Sequence, residues 1–445
     1  MAKSTTLNVW MNGFLVGNWS KTRTGDTFQY APDWLDSDAR RPLSLSMPFP
    51  PGNIAYRGPQ VTSYFDNLLP DSEPIRRRLA SRYKTAGLDA FAMLTELGRD
   101  CVGAIQLLPD GVTPTGIQQI TAAPLPDSAV AERLRQAVTP PALGGAHEAF
   151  DLRLSIAGAQ EKTALLFHQG QWQLPQGSTP TTHIFKLPLG LIAGIQADMS
   201  DSVENEWLCS KIVEEYGLPI AHCDIGRFED QKALIVTRFD RRIAGDGSWF
   251  IRLPQEDLAQ ATGTPPHKKY QSDGGPGITD IMNLLLGSVN AEADRRHFFK
   301  SQLVFWLLAA TDGHAKNFSL AHLPGNQYRA TPLYDVLSVH PIIGSGPGQL
   351  PPQRAKLAMA VRGSTPYYFI NKIQRRHWIS QAQQAGLSPE TAKHLIEEVI
   401  EQTPGVIARV QQQLTPTVPE DMAQAIFAGI QQQADKLAAM PEEEV

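Results

Sequence analysis

The sequence is poor in cysteine. Three occur among 445 residues, Cys101, Cys209 and Cys223, and no two of them form a CxxC pair. A disulfide framework or a cysteine-based zinc site is therefore not expected, and the composition fits a reducing cytoplasm. Long hydrophobic runs are also missing, since there is no stretch of about 18 apolar residues and the opening MAKSTTLNVWMNG has no apolar signal-peptide core. These absences predict a cytoplasmic protein with no membrane partner.

One region lacks acidic residues. Between Asp335 and Glu390 every formal charge is positive, although the whole chain has a net charge of -5. The cations of this basic stretch are Arg354, Lys356, Arg362, Lys372, Arg375 and Arg376. Such an asymmetry needs a partner or another reason, and a basic face that contacts only solvent or a docking surface for acidic partners is the alternative to a specific functional contact.

The remaining composition is that of a folded protein with several domains. Hydrophobic residues make up 42% of the chain and charged residues 19%, which supplies ample core material. The patterns predict strands with an Asn-Gly hairpin at the start, two helices, a Pro- and Gly-rich connector, further strands with one helix, and a mainly helical remainder. We therefore expect an α+β fold with boundaries 1–108, 109–147 (the connector), 148–279, 280–437 and an acidic tail at 438–445.

The most informative motif is TDGHAKNFS, residues 311–319, which comes at the end of a predicted buried helix over 295–311. It places Asp312 five residues before Asn317, with His314 between them, and Asp335 comes after a predicted strand. Phosphoryl transfer from a nucleotide needs a carboxylate beside the attacking hydroxyl and oxygen ligands for magnesium, and this set supplies both. Protein-kinase catalytic loops have the same Asp-to-Asn spacing. The alternative is a helix that ends in a polar loop, with Asp312 and Asn317 as caps.

A strand lysine lies earlier in the chain. Lys186 stands in the middle of the predicted strand THIFKLP, where a charge is costly unless it is paired. One interpretation is a contact with nucleotide phosphates, with Glu206, or less favourably Glu204, as partner on a predicted helix. The other interpretation is an edge-strand lysine that points to solvent.

Small residues precede this lysine in the segment AGAQEK, residues 157–162. Their backbone N–H groups would approach phosphate oxygens closely. The segment matches neither of the common glycine-rich phosphate motifs, so a tight β-turn is the alternative. The order of loop, lysine, glutamate, hinge, Asp, Asn and Asp is that of a kinase, and this order favours the nucleotide interpretation.

Together these segments resemble the HipA family of bacterial serine/threonine kinases, the toxins of HipA–HipB toxin–antitoxin modules. The resemblance runs through nearly the whole chain, in FDNLLPDS, GRDCVGA, AGAQEKTAL, TTHIFKLP, RFDRR, YQSDGGPGI, TDGHAKNFS and PLYDV among other segments. It implies a two-lobed, protein-kinase-like fold with a small β-rich N-terminal subdomain and a mainly helical C-terminal lobe. It also implies a non-specific serine/threonine protein kinase that uses ATP and Mg²⁺, phosphorylates an aminoacyl-tRNA synthetase such as glutamyl-tRNA synthetase, and causes growth arrest and persistence.

The resemblance implies roles for particular residues. The catalytic residue is Asp312, and the Mg²⁺ ligands are Asn317 and Asp335. His314 is expected to brace the catalytic loop, and Glu206 to pair with the strand lysine. The implied nucleotide-binding residues are Ala157, Gly158, Ala159, Gln160, Glu161, Lys162, Lys186, Thr237, Arg238 and Phe239.

Two positions carry further expectations. Ser155 corresponds to the family's autophosphorylation site, whose modification is thought to eject the loop and end ATP binding. Thr237 stands at the hinge where the type member has an acidic residue. Because a hinge usually holds adenine through backbone groups, we expect ATP use to survive this change.

The implied partners are a small HipB-like helix-turn-helix antitoxin and, through that complex, operator DNA. The segment NKIQRRHW aligns with the family's DNA-facing segment, which gives Lys372, Arg375 and Arg376 the role of phosphate contacts. Two other functions stay open: a corepressor whose kinase site is vestigial, and a small-molecule kinase of related fold. The intact Asp312 and Lys186 argue against the first, and the N-terminal subdomain has no obvious use in the second.

Overall fold

A computed structural model describes residues 5–139, 156–158, 160–192 and 197–441. The chain divides into two compact units. The first unit comprises Met1–Leu187, Gly226–His267 and Leu320–Tyr328. The second unit comprises Pro188–Ile225, Lys268–Ser319 and Arg329–Val445. Each unit is therefore built from segments that are distant in the sequence.

Strands and helices are numbered separately along the chain. The strands are β1 Thr6–Met11, β2 Phe14–Thr22, β3 Gly25–Tyr30, β4 Tyr56–Arg57, β5 Ile105–Pro109, β6 Ala122–Pro124, β7 Lys162–His168, β8 Gln171–Pro175, β9 His183–Lys186, β10 Gly190–Ile192, β11 Ala197–Met199, β12 Cys223–Phe228, β13 Gln231–Thr237, β14 Arg241–Ile243, β15 Phe250–Arg252, β16 Gln255–Asp257, β17 Ser319–Leu323, β18 Gln327–Ala330, β19 Lys356–Arg362 and β20 Pro366–Phe369. The helices are α1 Pro32–Leu35, α2 Pro59–Asp66, α3 Glu73–Tyr83, α4 Ala90–Leu97, α5 Asp127–Val138, α6 Ser202–Glu215, α7 Leu258–Ala261, α8 Ile278–Leu284, α9 Ala291–Leu307, α10 Arg375–Gln384, α11 Pro389–Gln413 and α12 Glu420–Ala439.

The first sheet is antiparallel and has the strand order β4-β3-β2-β1-β5. Its first two strands are joined by Asn12 and Gly13, both at positive φ (47° and 90°), the conformation that a two-residue hairpin turn requires. The hairpin predicted from Asn-Gly is confirmed. Against the sheet, Trp19 stacks on Phe65 of α2 with ring centroids 3.9 Å apart, and both side chains are fully buried. These large rings give the small sheet a core of its own.

The second sheet has the order β12-β13-β9-β7-β8-β6, so β9 is an interior strand. Part of the expected connector belongs to this layer. Strand β6 pairs with β8, and α5 places Val130 and Leu134 in the same buried cluster as Leu165 and Phe185. The apolar face of α5 therefore packs against the second sheet. Residues 122–138, which were predicted as part of the connector, belong to the folded layer.

The second unit is built mainly from helices. The predicted helix over 295–311 is present as α9, Ala291–Leu307, and is buried on all sides over its second half. From it, Trp306 donates its indole N–H to the carbonyl of Ile370 at 3.1 Å. This region also contains the hairpin β19–β20, which the sequence pattern does not predict. The segment KLAMAVR of β19 is apolar and buried at five consecutive positions, and a short continuous apolar run does not distinguish strand from helix.

Five charged side chains form a buried ion cluster in the first unit. Its members are Asp100, Arg238, Asp240, Arg241 and Arg252. The carboxylate of Asp100 accepts hydrogen bonds from Arg241 at 3.0 Å and Arg252 at 3.1 Å. Asp240 accepts from Arg238 at 2.8 Å and from the N–H of Gly103 at 2.7 Å. Because each buried charge would cost several kcal/mol without a partner, the cluster ties the loop before β5 to the segment that follows β13.

The three cysteines are free and buried, as the prediction of no disulfide framework requires. Within the described ranges, no helix is both long enough and apolar enough to cross a membrane.

Candidate active site

The predicted catalytic loop lies in the second unit, shortly after the buried helix α9. Asp312 carries its carboxylate at the surface, with 58% of the side chain exposed. Its own carbonyl accepts two hydrogen bonds, from the N–H of His314 and from Nδ2 of Asn317, both at 2.7 Å. The Asp-to-Asn spacing thus closes a short loop that presents the carboxylate on a braced backbone. The helix-cap alternative does not describe this arrangement, because α9 already ends at Leu307.

His314 lies next to Asp312, and its role as the residue that braces the loop stays a prediction. Its ring is 4% exposed, and Nε2 lies 3.8 Å from Oδ1 of Asp312. The carbonyl of His314 accepts the N–H of Asn317 at 2.9 Å.

Tyr270 is a site residue that the sequence patterns do not single out. Its phenol donates a hydrogen bond to Oδ1 of Asp312 at 2.5 Å, and its ring packs edge-on against His314 with centroids 4.9 Å apart. Tyr270 is the first residue of YQSDGGPGI, one of the segments that resemble the HipA family. Nothing in the local sequence pattern of that segment connects Tyr270 to Asp312.

The predicted magnesium ligands have suitable donor chemistry. Asn317 uses its amide N–H on the Asp312 carbonyl, so its amide oxygen is the atom that a metal ion would bind. Asp335 has a φ of 62°, in the left-handed region where Asp is one of the few tolerated residues, and such strain is concentrated at functional sites. Groups of three or more His, Cys, Asp or Glu with metal-site geometry do not occur in the described part of the chain. Two protein oxygens are nonetheless what a Mg²⁺ bound largely through nucleotide phosphates requires.

Lys186 lies on β9 in the interior of the second sheet. It faces Leu234 of β13 on one side and Lys162 of β7 on the other, and it is 7% exposed. The alternative of a solvent-facing edge-strand lysine is therefore wrong. Its predicted partner Glu206, like Glu204, is buried on α6 in the second unit, and the pairing itself stays a prediction.

The predicted phosphate loop is anchored in the first unit. Gly158 has a φ of 110°, which favours glycine, and its carbonyl accepts the N–H of Asp71 at 3.2 Å. Lys162 closes the loop by donating to the carbonyl of Ala157 at 2.9 Å.

Two neighbouring side chains hold the same loop. Gln160 donates to the carbonyl of Leu187 at 2.5 Å, and Glu161 forms an ion pair with Arg78 of α3. The predicted phosphorylation site Ser155 and the loop residue Ala159 lie outside the described residues.

The predicted adenine hinge needs a correction at Arg238. Its N–H donates to the carbonyl of Thr182 at 2.9 Å, and its guanidinium belongs to the buried ion cluster. Burial alone would lower the pKa of Arg238, but Asp240 and Asp100 outweigh that effect and raise it. The side chain is therefore committed to the fold, while Thr237 and Phe239 on either side are partly exposed.

The basic stretch also needs a correction. Arg375 is 5% exposed and forms an ion pair with Glu397 of α11, so it would have to break that pair and leave its buried position to reach a DNA phosphate. Lys372 is exposed and Arg376 is partly exposed. The predicted contacts with DNA phosphates are therefore limited to Lys372 and Arg376.

Comparison with solved structures defines the class of fold. The chain matches a solved structure described as the Shewanella oneidensis MR-1 toxin–antitoxin system HipA, HipB and its operator DNA complex, with a TM-score of 0.79 at 23% sequence identity. The match covers 99% of this chain and 100% of the other. The predicted α+β, HipA-like fold class is confirmed.

Sequence comparisons define the family. The model of the HipA N-terminal domain matches residues 7–108, and that of the HipA-like C-terminal domain matches residues 154–407. The protein Y4mE of Sinorhizobium fredii is 31% identical over 414 residues, 91% of each chain. The serine/threonine-protein kinase toxin HipA of Shewanella oneidensis is 28% identical over 353 residues, 76% of each chain. The chain belongs to the HipA family of serine/threonine kinase toxins.

Proposed function

We propose that this chain is an ATP- and Mg²⁺-dependent protein serine/threonine kinase that acts as the toxin of a toxin–antitoxin pair. The observation that carries the proposal is the exposed carboxylate of Asp312 on a loop braced by Asn317 and His314. A vestigial site would have no need to keep an exposed acid in this geometry, nor a buried lysine in the interior of a sheet.

The roles follow from the chemistry of phosphoryl transfer. Asp312 orients the acceptor hydroxyl and takes its proton. Asn317 and Asp335 would hold Mg²⁺, which when bound neutralises negative charge on the phosphates. Lys186 contacts the nucleotide phosphates, and the backbone around Thr237 and Phe239 holds the adenine.

Autophosphorylation tests the kinase directly. We expect the purified chain, incubated with ATP and Mg²⁺, to gain one phosphate at Ser155, detected by mass spectrometry. Asp312→Asn should reduce this gain to a residual rate, while Asp435→Asn, which changes an exposed carboxylate of α12, should leave it unchanged. A wild-type chain without phosphate after long incubation would support the corepressor instead.

The substrate and the cellular output rest on the family resemblance. We infer that the kinase phosphorylates an aminoacyl-tRNA synthetase, with glutamyl-tRNA synthetase the first to test, and thereby causes growth arrest and persistence. Expression of the wild type should arrest growth, and expression of Asp312→Asn should not. Phosphate transfer to small metabolites alone, with no protein acceptor labelled, would indicate the small-molecule kinase.

We also infer that a HipB-like antitoxin binds this chain and brings it to operator DNA, because the structural neighbour was solved with both. Lys372 and Arg376 would add phosphate contacts to that complex. Each lost contact reduces the slope of log affinity against log salt by about 0.9. The double variant Lys372→Ala/Arg376→Ala should therefore flatten the slope of the antitoxin complex by about 1.8, while Arg77→Ala, an exposed cation of the first unit, should not change it.

A further inference from the structure

The catalytic carboxylate has a neighbour for which the proposed function gives no role. Oη of Tyr270 lies 2.5 Å from Oδ1 of Asp312 and donates a hydrogen bond to it. Nε2 of His314 approaches the same oxygen at 3.8 Å. One oxygen of the carboxylate therefore faces Tyr270 and His314, and the other is oriented by that contact.

The backbone of Tyr270 is held rigidly. Its carbonyl accepts the N–H groups of Asp273 and Gly275, each at 3.0 Å. The next side chain, Gln271, accepts the N–H of Ala360 on β19 at 2.7 Å. The phenol is therefore presented from a turn that is fastened to itself and to a neighbouring strand.

The same turn is tied to the catalytic loop. The carbonyl of Lys269 accepts the N–H of Ala315 at 3.3 Å. At Gly275 a Cβ atom would lie 2.2 Å from the carbonyl oxygen of Lys268, so the turn has no space for a side chain there. Tyr270 and Asp312 are consequently held at a set distance although 41 residues separate them in the sequence.

A general base needs one carboxylate oxygen at hydrogen-bond distance from the hydroxyl that it deprotonates. Asp312 is 58% exposed, so packing alone does not select its rotamer. A hydrogen bond from a rigid donor to a charged acceptor is strong enough to do so. With Oδ1 on Tyr270, Oδ2 is the oxygen that meets the acceptor hydroxyl.

We propose that Tyr270 is a positioning residue for Asp312. Its hydroxyl selects the carboxylate rotamer in which Oδ2 accepts the proton of the substrate hydroxyl. The inference rests on the proposed kinase function. In the reaction the acceptor oxygen forms a bond to the γ-phosphorus of ATP, the bond from that phosphorus to the ADP oxygen breaks, and the proton passes to Asp312. Tyr270 keeps its own proton.

The test measures the rate of autophosphorylation with ATP and Mg²⁺, at saturating and at limiting ATP, for the full-length wild type and for Tyr270→Phe. Because a hydrogen bond to a charged group is lost, we expect kcat to fall about tenfold to a hundredfold, with KM for ATP within about twofold. Tyr216→Phe is the matched control, since it removes a buried phenol whose hydrogen bond, at 2.7 Å, is to Thr403 of α11. Its kcat should stay near the wild-type value.

A second measurement separates positioning from loosening of the loop. In an Asp312→Asn background, Tyr270→Phe should cause no further loss of the residual rate, because its effect passes through the carboxylate. A further loss there would overturn the inference. An unchanged kcat in Tyr270→Phe would also overturn the inference. A higher kcat would do so too, because it would show that Tyr270 blocks the base. Phosphotyrosine at position 270 of the wild type is the third outcome that would overturn it. An inactive wild type would instead overturn the proposed function itself, and an active wild type with an equally active Tyr270→Phe overturns only this inference.

Discussion

Replacing Asp100 with Asn removes one negative charge from the buried ion cluster and keeps the shape of the side chain. In the wild type two carboxylates face three guanidinium groups whose side chains are 1% to 3% exposed. The variant leaves three cations with one anion. Because breaking a buried ion pair costs about 3–5 kcal/mol, we expect Asp100→Asn to lower the free energy of unfolding of the first unit by that amount. The thermal midpoint should fall by roughly 6–20 °C.

The same cluster predicts a pH dependence. Burial by itself would raise the pKa of Asp100, but Arg241, Arg252 and Arg238 outweigh burial and hold the pKa well below its ordinary value of 3.8. Because the folded-state pKa is depressed, the stabilisation is fully present above the unfolded-state pKa and is lost as the pH falls toward the folded-state value. The difference in unfolding free energy between wild type and Asp100→Asn should therefore be constant near neutrality and shrink below about pH 4.

Urea unfolding followed by tryptophan fluorescence, at pH 7 and at a series of lower pH values, measures both effects. Asp89→Asn is the matched control, because Asp89 pairs with Lys21 on the surface at 2.8 Å with both side chains about half exposed. Asn also keeps the N-cap of α4, so the control should change stability by at most about 1 kcal/mol. A loss of stability in Asp100→Asn no larger than in this control, or an effect that does not depend on pH, would refute the stabilising role of the ion cluster.

Three further predictions concern the first unit and the thiols. Arg78→Ala removes the partner of Glu161 in the phosphate loop and should raise KM for ATP several-fold, whereas Arg77→Ala, one position along the same helix and exposed, should not. Gly158→Ala should also raise KM for ATP. The φ of Gly158 is 110°, and a Cβ atom there would lie 2.4 Å from the amino group of Lys162. An unchanged KM would show that the loop does not contact nucleotide. A thiol reagent should label the native chain slowly at neutral pH and all three cysteines after denaturation, because burial raises the pKa of Cys101 to about 12; fast native labelling would contradict the burial.

Local features were predictable from the chain because their contacts are short in sequence. The Asn12–Gly13 hairpin needs only two adjacent residues that tolerate positive φ. The predicted catalytic loop closes within six residues, through hydrogen bonds from His314 and Asn317 to the carbonyl of Asp312. Because the hydrogen-bonded residues are so close in sequence, their spacing alone indicates that the chain forms a loop there.

Contacts between distant segments could not be predicted in this way. The sequence marks Arg375 and Arg238 as cations, but only packing shows that one is buried against Glu397 and the other inside an ion cluster. Periodicity likewise shows that α5 has an apolar face without saying that the second sheet covers it.

The order of motifs along the chain indicated a kinase, and the resemblance of its segments indicated the HipA family. Tertiary structure alone decided which charges are available for that chemistry and which stabilise the fold. The physical reason is that the cost of a charge depends on its burial and its partners, and both are set by segments far apart in the sequence. Tyr270 shows this most clearly, because its phenol becomes a neighbour of Asp312 only when the chain folds.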